Sequence, residues 1–207
     1  MIHGIAYASC YVYSPTGTGA MCELSRLLRE RLKACDARFM PKYALRVREQ
    51  ARRSLAGFFG ATDVLVPVPG SAPHAAERLW AAEELTAALI NEGLGGAAWS
   101  GLRRVHAVHK SATAPPGERP TVDLHYDSFR VEQPEVQPGN IVLIDDVVTK
   151  GRTLLAAAWR VQEAFPCAQV RAFALLRTMG RVCGIRQLLD PCQGEIRWRR
   201  GDAHRCP

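Results

Sequence analysis

The fold is decided by residues 141–153, IVLIDDVVTKGRT. The first four residues, Ile141 to Ile144, are apolar without alternation, which is typical of a central parallel strand covered on both faces. A helical pattern follows from about Arg152 to Phe165 and is broken at Pro166, and a second apolar run covers Val170 to Leu176. A strand, a helix and another strand in succession predict a parallel sheet.

Outward from this unit, periodicity and turn residues predict further elements. The predicted helices are Ala20 to Ala34, Tyr43 to Phe59 and Ala75 to Asn91, and the predicted strands are Asp63 to Pro67, Ala98 to Leu102 and Phe129 to Val131. We therefore expect an α/β protein with an open, mainly parallel sheet flanked by helices. The stretch Val105 to Ser128 has little periodicity, which is typical of a functional or disordered loop.

Size and composition indicate one globular domain. The chain has 207 residues, of which 47% are hydrophobic and 23% charged, and it contains no apolar run of the roughly 20 residues that a membrane span needs. We expect a cytoplasmic protein. Its 7 cysteines are an odd number without a CxxC pair, which favours reduced thiols. Four potential ligands in the tail, namely Cys183, Cys192, His204 and Cys206, match no closed zinc pattern.

The formal net charge of +7 suits an anionic partner such as a nucleotide, a phosphate ester or a nucleic acid. It does not choose among them, and a solvated basic surface is the ordinary alternative.

Paired carboxylates and a glycine-containing turn mark the candidate site. Asp145 and Asp146 follow the predicted central strand at its carboxyl end, where open α/β sheets bind ligands. The turn Thr149 to Thr153 opens a helix, so that free backbone N–H groups and the positive end of the helix dipole converge on one point. Such a point binds a phosphate monoester. The alternative is that the aspartates only cap the helix and that Gly151 only makes the turn.

These residues resemble the signature of the type I phosphoribosyltransferases: an apolar strand, two acidic residues, and a loop rich in Thr and Gly. The resemblance implies that Asp145 and Asp146 hold the ribose hydroxyls of phosphoribosyl pyrophosphate, together with Mg²⁺. It also implies two loops that bind the phosphates. The 5′-phosphate loop comprises Thr149, Lys150, Gly151, Arg152 and Thr153, and the pyrophosphate loop comprises Pro69, Gly70 and Ser71.

Within this superfamily the spacing from VPVP to IDDVVT is most similar to the competence-associated ComF-like branch. The resemblance covers about residues 63–176 and implies a core of about 61–176, with residues 1–60 and 177–207 forming a hood that selects a nucleobase-like acceptor. Two departures stand out. The cysteine-rich zinc module of that branch is absent from this sequence, and Lys150 and Arg152 occupy loop positions where small or hydroxyl side chains are usual, which favours a more electrostatic grip on phosphate.

The irregular stretch lies where the family carries its flexible catalytic loop. Lys110 or Arg119 would close over the pyrophosphate, whereas the alternative is that both are simply solvated. His106, His109 and His125 could move protons near neutral pH or be incidental.

Two functions are therefore open. One is a phosphoribosyltransferase that joins phosphoribose to a nitrogenous base and releases pyrophosphate. The other is a non-catalytic regulator that senses the sugar phosphate or binds nucleic acid through its basic helices. A P-loop hydrolase is disfavoured because the GxxxxGK[ST] spacing is missing. A homodimer stays open.

Overall fold

The computed structural model describes residues 2–73, 79–109, 119–133, 137–180 and 184–207. Within these ranges the helices are α1 (Ala20–Lys33), α2 (Met40–Ala51), α3 (Ala81–Asn91), α4 (Val122–Ser128) and α5 (Arg152–Ala164). The strands in the same ranges are β1 (Gly4–Tyr13), β2 (Val64–Pro67), β3 (Ala97–Ala98), β4 (Leu102–Arg104), β5 (Phe129–Val131), β6 (Asn140–Val148), β7 (Gln169–Thr178), β8 (Leu189–Arg199) and β9 (Asp202–Cys206).

Seven strands form one sheet in the order β3-β2-β6-β7-β1-β8-β9. The strands from β3 to β1 in this order run parallel. β8 is antiparallel to β1, and β9 is antiparallel to β8. β4 and β5 form a separate antiparallel pair.

The central strand β6 is buried on both faces. Ile141 and Leu143 pack into the cluster that contains α5, while Val142 and Ile144 pack into the cluster that contains α1, α2 and α3. All four side chains are fully buried, as expected of a strand without apolar and polar alternation. The open, mainly parallel sheet with helices on both faces confirms the predicted fold class.

The terminal segments belong to this same sheet. β1 lies between β7 and β8, and β8 and β9 form one edge. The strands of the sheet are therefore not confined to residues 61–176, although the resemblance assigned both terminal segments to a hood. β1 belongs to the sheet because its side chains pack into the core, where Tyr7, Ala8 and Cys10 are fully buried.

Local predictions succeeded where the periodicity was long. The helix predicted at Ala20 is confirmed as α1, and the helix predicted at Arg152 is confirmed as α5. The second predicted helix ends early, because α2 stops at Ala51 and turns follow. The third prediction began at Ala75, whereas α3 begins at Ala81 and residues 74–78 lie outside the described ranges.

Two regions predicted to be irregular contain regular structure. A helix, α4, occupies the end of the stretch Val105 to Ser128, and its N-cap is Thr121, whose side chain accepts a hydrogen bond from the Leu124 N–H. The tail, for which no regular element was predicted, forms β9. Among the described helices, none has both the length and the apolar character needed to cross a bilayer.

Candidate functional site

The carboxyl ends of four parallel strands meet at one edge of the sheet. Pro67 at the end of β2 pairs with Ile144, and Val148 at the end of β6 pairs with Arg177 of β7. The Val68 N–H donates to the Ile144 carbonyl at 2.8 Å. The segment after β2 and the segment after β6 are therefore neighbours, and we call residues 68–71 the β2 loop and residues 149–152 the β6 loop, of which Arg152 is also the first residue of α5.

The two acidic residues lie within β6 rather than after it, because the strand continues to Val148. Asp146 is 6% exposed and forms an ion pair with Lys33, the last residue of α1. The Asp145 carboxylate accepts a hydrogen bond from the Asp146 N–H at 2.8 Å. The pair thus lies in β6 between Ile144, which accepts a hydrogen bond from the β2 loop, and the start of the β6 loop.

The two carboxyl groups differ in acidity. Burial and the adjacent Asp146 carboxylate raise the pKa of Asp145 well above its ordinary value. Burial also opposes ionisation of Asp146, yet the Lys33 ammonium and hydrogen bonds hold the pKa of Asp146 below its ordinary value. Asp146 is therefore the charged member, and Asp145 holds a proton more readily.

The β6 loop leads into an uncapped helix. Gly151 has φ +89° and is the N-cap of α5, and no side chain in the described part of the chain caps that end. The first-turn N–H groups of α5 are therefore available to another acceptor. The Thr149 hydroxyl lies 3.0 Å from that of Thr178 on β7.

The cations of the β6 loop are already paired. Asp202 of β9 accepts a hydrogen bond from Lys150 Nζ at 2.8 Å and two from Arg152, at 2.6 Å from Nε and at 2.7 Å from Nη2. These bonds hold the pKa of Asp202 far below its ordinary value. A phosphate bound by Lys150 and Arg152, as predicted, would therefore compete with the Asp202 carboxylate. Asp202 was not among the predicted site residues, because it lies in the tail, outside the resemblance.

The two loop glycines have different surroundings. A Cβ added to Gly151 would come within 2.7 Å of the Ile196 side chain on β8, whereas a Cβ added to Gly70 would meet no atom of the described residues within 4 Å. Gly151 was predicted either to belong to the 5′-phosphate loop or only to make the turn. In the structure, a positive φ and close packing against β8 account for this glycine.

A buried arginine holds the β2 loop. Arg104 at the end of β4 is 4% exposed, and it donates hydrogen bonds to the Gly70 carbonyl and to the Ser128 hydroxyl. Arg104 Nη2 also lies 3.4 Å from the Pro69 carbonyl oxygen and 3.4 Å from His125 Nδ1. Burial lowers the pKa of Arg104 to about 10, so that it stays charged at neutral pH.

His125 connects Arg104 to the start of α5. It is 3% exposed, and its Nε2 atom lies 3.4 Å from the Thr153 hydroxyl. Burial, Arg104 and Arg152 lower the pKa of His125 to about 3. His125 is therefore neutral at physiological pH and does not act as a general acid there. Arg104 was not among the predicted site residues, since an arginine next to a short strand has no distinctive sequence signal.

The remaining predicted residues divide into two groups. Lys110 lies outside the described residues. Arg119 lies beside α5, where its carbonyl accepts a hydrogen bond from Arg152 Nη1 at 3.3 Å. The Ser71 carbonyl accepts one from the Val108 N–H at 2.8 Å, which joins the β2 loop to the segment after β4.

Two cavities open at this edge. The first, of about 240 Å³, adjoins the β2 loop and is lined by Pro69, Pro73, Trp80, Leu102, Arg103 and Arg104. The second, of about 450 Å³, lies at the ends of β1 and β7 and is lined by Val12, Met179, Gly184, Ile185, Arg186, Gln187 and Asp190.

Two solved structures resemble the chain at low similarity. One is the crystal structure of a hypoxanthine phosphoribosyltransferase from Staphylococcus aureus, with 11% identity and a TM-score of 0.37 over 77% of this chain and 70% of that chain. Another is a glutamine mutant from an analysis of an invariant aspartic acid in HPRTs, with 12% identity and a TM-score of 0.35 over 74% of this chain and 72% of that chain. No family model and no curated protein matches the sequence. We therefore infer the function from the chain's own residues.

Proposed function

We propose that the protein binds phosphoribosyl pyrophosphate and transfers its phosphoribose to a nitrogenous base, releasing pyrophosphate. One observation carries this proposal: the β2 loop, the β6 loop and the pair Asp145–Asp146 are neighbours at the carboxyl edge of a parallel sheet. A phosphorylated pentose with a second phosphate group needs two anion-binding loops and, between them, acceptors for its ribose hydroxyls. This edge brings these three kinds of group together.

The first-turn N–H groups of α5 and the hydroxyls of Thr149 and Thr153 suit the 5′-phosphate. The N–H groups of the β2 loop suit the pyrophosphate. In the reaction the bond from ribose C1 to the pyrophosphate oxygen breaks and the pyrophosphate leaves with the electron pair. A bond from C1 to the base nitrogen forms, and the base loses a proton.

The side chains at this site would bind Mg²⁺ only together with ligand atoms of the substrate. Within the described residues no group of three or more His, Cys, Asp or Glu side chains could hold a metal ion. Asp145 and Asp146 offer carboxylate oxygens, and Mg²⁺ commonly binds one or two carboxylates plus substrate phosphates and waters. When bound, the ion would neutralise charge on the departing pyrophosphate.

The acceptor base is proposed to enter the cavity at the ends of β1 and β7. This cavity is adjacent to the β6 loop, because the Thr149 hydroxyl contacts that of Thr178 at the end of β7. Its lining includes Gln187 and Asp190. The Asp190 carboxylate already accepts hydrogen bonds from Arg177 and from the Gln187 amide, so a base would use the remaining acceptor positions of these two side chains. These residues belong to the C-terminal segment that the sequence predicted to select the acceptor.

A second candidate is a sensor that binds the sugar phosphate without turnover. Two observations favour it: Lys33 already pairs with Asp146, and Asp202 already pairs with the cations of the β6 loop. Exposed basic residues of the α2 region, such as Lys42, Arg52 and Arg53, would then contact nucleic acid.

The test is calorimetric titration with phosphoribosyl pyrophosphate in the presence and absence of Mg²⁺, followed by measurement of pyrophosphate release with a panel of nucleobases. We expect Mg²⁺-dependent binding that Asp145→Asn abolishes and that the exposed control Asp127→Asn retains. Pyrophosphate release with one base supports the transferase. Binding without release for any base supports the sensor, and its affinity for DNA or RNA should fall steeply with salt. Absence of binding at millimolar concentration overturns both.

A further inference from the structure

We propose that Arg104 and His125 are positioning residues that join the β2 loop to the start of α5 and aim the donors of both toward one anionic ligand. This inference deepens the proposed function and rests on it. Neither side chain would contact the ligand, since both are almost completely buried. They would act through the peptide groups of the β2 loop and through the hydroxyl of Thr153.

Arg104 determines which way the peptide groups of the β2 loop face. Its guanidinium lies within hydrogen-bond distance of the carbonyls of both Pro69 and Gly70. In a trans peptide the N–H points away from the carbonyl of the same peptide unit. The N–H groups of Gly70 and Ser71 therefore point away from Arg104. No hydrogen bond between backbone groups in the described ranges takes up either N–H.

The space around Gly70 agrees with this arrangement. Among the described residues, a Cβ added at Gly70 would meet nothing within 4 Å, so the described part of the chain leaves free space at this residue. Consecutive backbone N–H groups that face one open side form a concave anion-binding site. The β2 loop thus has the geometry of a receptor for a phosphate group.

The charge of Arg104 points to a ligand as well. Its hydrogen-bond acceptors among the described residues are carbonyl oxygens, a hydroxyl and an imidazole nitrogen, all of them neutral. The Asp145 carboxylate acts on its charge, but no ion pair between the two is formed within the described ranges. A buried cation without a paired anion is unfavourable. An anion bound at the β2 loop would offset the unfavourable free energy of this buried charge.

The proton positions of His125 follow from its neighbours. Every polar atom of Arg104 is a donor, so His125 Nδ1 must accept its hydrogen bond. A neutral imidazole with an accepting Nδ1 carries its proton on Nε2. Nε2–H therefore donates to the Thr153 hydroxyl oxygen, at 3.4 Å. The neutral state is secured because burial and the neighbouring arginines lower the pKa of His125 to about 3.

The consequence concerns the hydroxyl of Thr153. Its oxygen accepts from His125, so its own proton is directed elsewhere. Thr153 is the second residue of α5, where the first-turn N–H groups are free of side-chain caps. The hydroxyl thus adds a donor beside those N–H groups. A phosphate monoester, which accepts hydrogen bonds from several donors, is the ligand that fits.

The test divides the substrate into two probes, ribose 5-phosphate for α5 and inorganic pyrophosphate for the β2 loop, each titrated by calorimetry. Thr153→Val removes the hydroxyl and should weaken ribose 5-phosphate binding about 10-fold, the size expected of one charge-assisted hydrogen bond. His125→Asn keeps an acceptor near the place of Nδ1 but is too short to reach Thr153. It should weaken the same probe about 3- to 10-fold and leave pyrophosphate binding unchanged.

The double variant is decisive for the link between the two residues. If His125 acts through the Thr153 hydroxyl, His125→Asn combined with Thr153→Val binds ribose 5-phosphate no more weakly than Thr153→Val alone. Losses that multiply overturn the inference, as does a His125→Asn protein with wild-type affinity. The matched control is His3→Asn, a change at an exposed histidine just before β1, which should bind both probes normally.

Arg104 is tested with pyrophosphate. Arg104→Lys keeps the charge and loses the planar fork, and Arg104→Met loses both. We expect about a 10-fold loss for the lysine variant and a larger loss for the methionine variant, if it folds. Wild-type pyrophosphate affinity in Arg104→Lys overturns this part of the inference even if Arg104→Met does not fold.

A ligand-free measurement separates the inference from the proposed function. The ring ¹⁵N chemical shifts of labelled His125 should report a neutral ring with the proton on Nε2, and Arg104→Lys should perturb that state. A proton on Nδ1 overturns the inference alone. If the wild-type protein shows the expected tautomer and binds neither probe, the proposed function fails and the role in ligand positioning fails with it.

Discussion

The β2 loop and the β6 loop follow neighbouring strands at the same sheet edge, yet they are held in opposite ways. The β2 loop is open around Gly70 and is fixed through its carbonyls by a buried arginine. The β6 loop is closed: Ile196 fills the space beside Gly151, and Asp202 pairs with both loop cations. The same predicted role, phosphate binding, thus rests on two different local structures.

The difference shows what the C-terminal strands contribute. Ile196 belongs to β8 and Asp202 to β9, so the edge hairpin packs against the β6 loop and sets its shape. Because the cations are paired, a phosphate at this loop would be bound mainly by the helix N–H groups and by hydroxyls. The charges of Lys150 and Arg152 would then contribute less to phosphate binding at the β6 loop than the sequence alone predicts.

The largest effect is expected at Gly151. Gly151→Ala places a Cβ at φ +89° and within 2.7 Å of Ile196. Left-handed strain and overpacking together should lower the free energy of unfolding by about 2–4 kcal/mol. Gly70→Ala, which has neither problem, should change it by less than about 0.5 kcal/mol. Urea denaturation measures both.

A double variant separates the two causes. Ile196→Ala removes the atoms that a Cβ at Gly151 would meet, so the double variant should be more stable than the sum of the two single changes predicts, by about 1–3 kcal/mol. Equal destabilisation by Gly151→Ala and Gly70→Ala would mean that the contrast between the loops is wrong.

A smaller effect is expected from His125, which connects the two loops. Its pKa is about 3 in the folded protein, because of burial, Arg104 of β4 and Arg152 of α5, against about 6.5 in an unfolded chain. The unfolded state therefore binds more protons between these values. Stability from this group is present above about pH 6.5 and is lost as the pH falls toward 3, with a slope of up to about 1.4 kcal/mol per pH unit.

The measurement compares unfolding of the wild-type protein with that of His125→Gln between pH 7.5 and pH 5. The wild-type protein should lose about 2 kcal/mol more than the variant over this range. His106→Gln, a change at an exposed position, should keep the wild-type pH dependence. Parallel curves for wild type and His125→Gln would show that His125 is not held neutral by the fold.

The sequence was sufficient for the centre of the fold. β6 and α5 were predicted because a fully apolar strand and a two-faced helix each carry a local signal, and the position of Gly151 at the helix start followed from the same stretch. The edge hairpin was missed. β8 contains Pro191 and Gly194 and alternates poorly, and its partner β1 lies at the other end of the chain.

The site was predictable only where its residues are adjacent in sequence. Asp145, Asp146 and the β6 loop are consecutive, so their pattern was visible. Arg104 and His125 are 21 residues apart, and Arg152 and Asp202 are 50 apart, so that only the folded chain brings each pair together. α4 was missed because a helix of 7 residues is too short to show periodicity.

The smallest effect is expected from Asp202→Asn, which removes the charge that neutralises the β6 loop. Because this ion-pair network is partly exposed to solvent, the free energy of unfolding should fall by only about 1 kcal/mol. Freed from Asp202, Lys150 and Arg152 should raise the affinity for inorganic phosphate about 3-fold at low salt, and the gain should vanish at high salt. Calorimetric titration at two salt concentrations measures it, with Asp127→Asn as the control for loss of an exposed carboxylate elsewhere. If the affinity falls instead, Asp202 is needed to hold the β6 loop in its binding conformation. The geometric support from the C-terminal hairpin then outweighs the competition between the Asp202 carboxylate and phosphate.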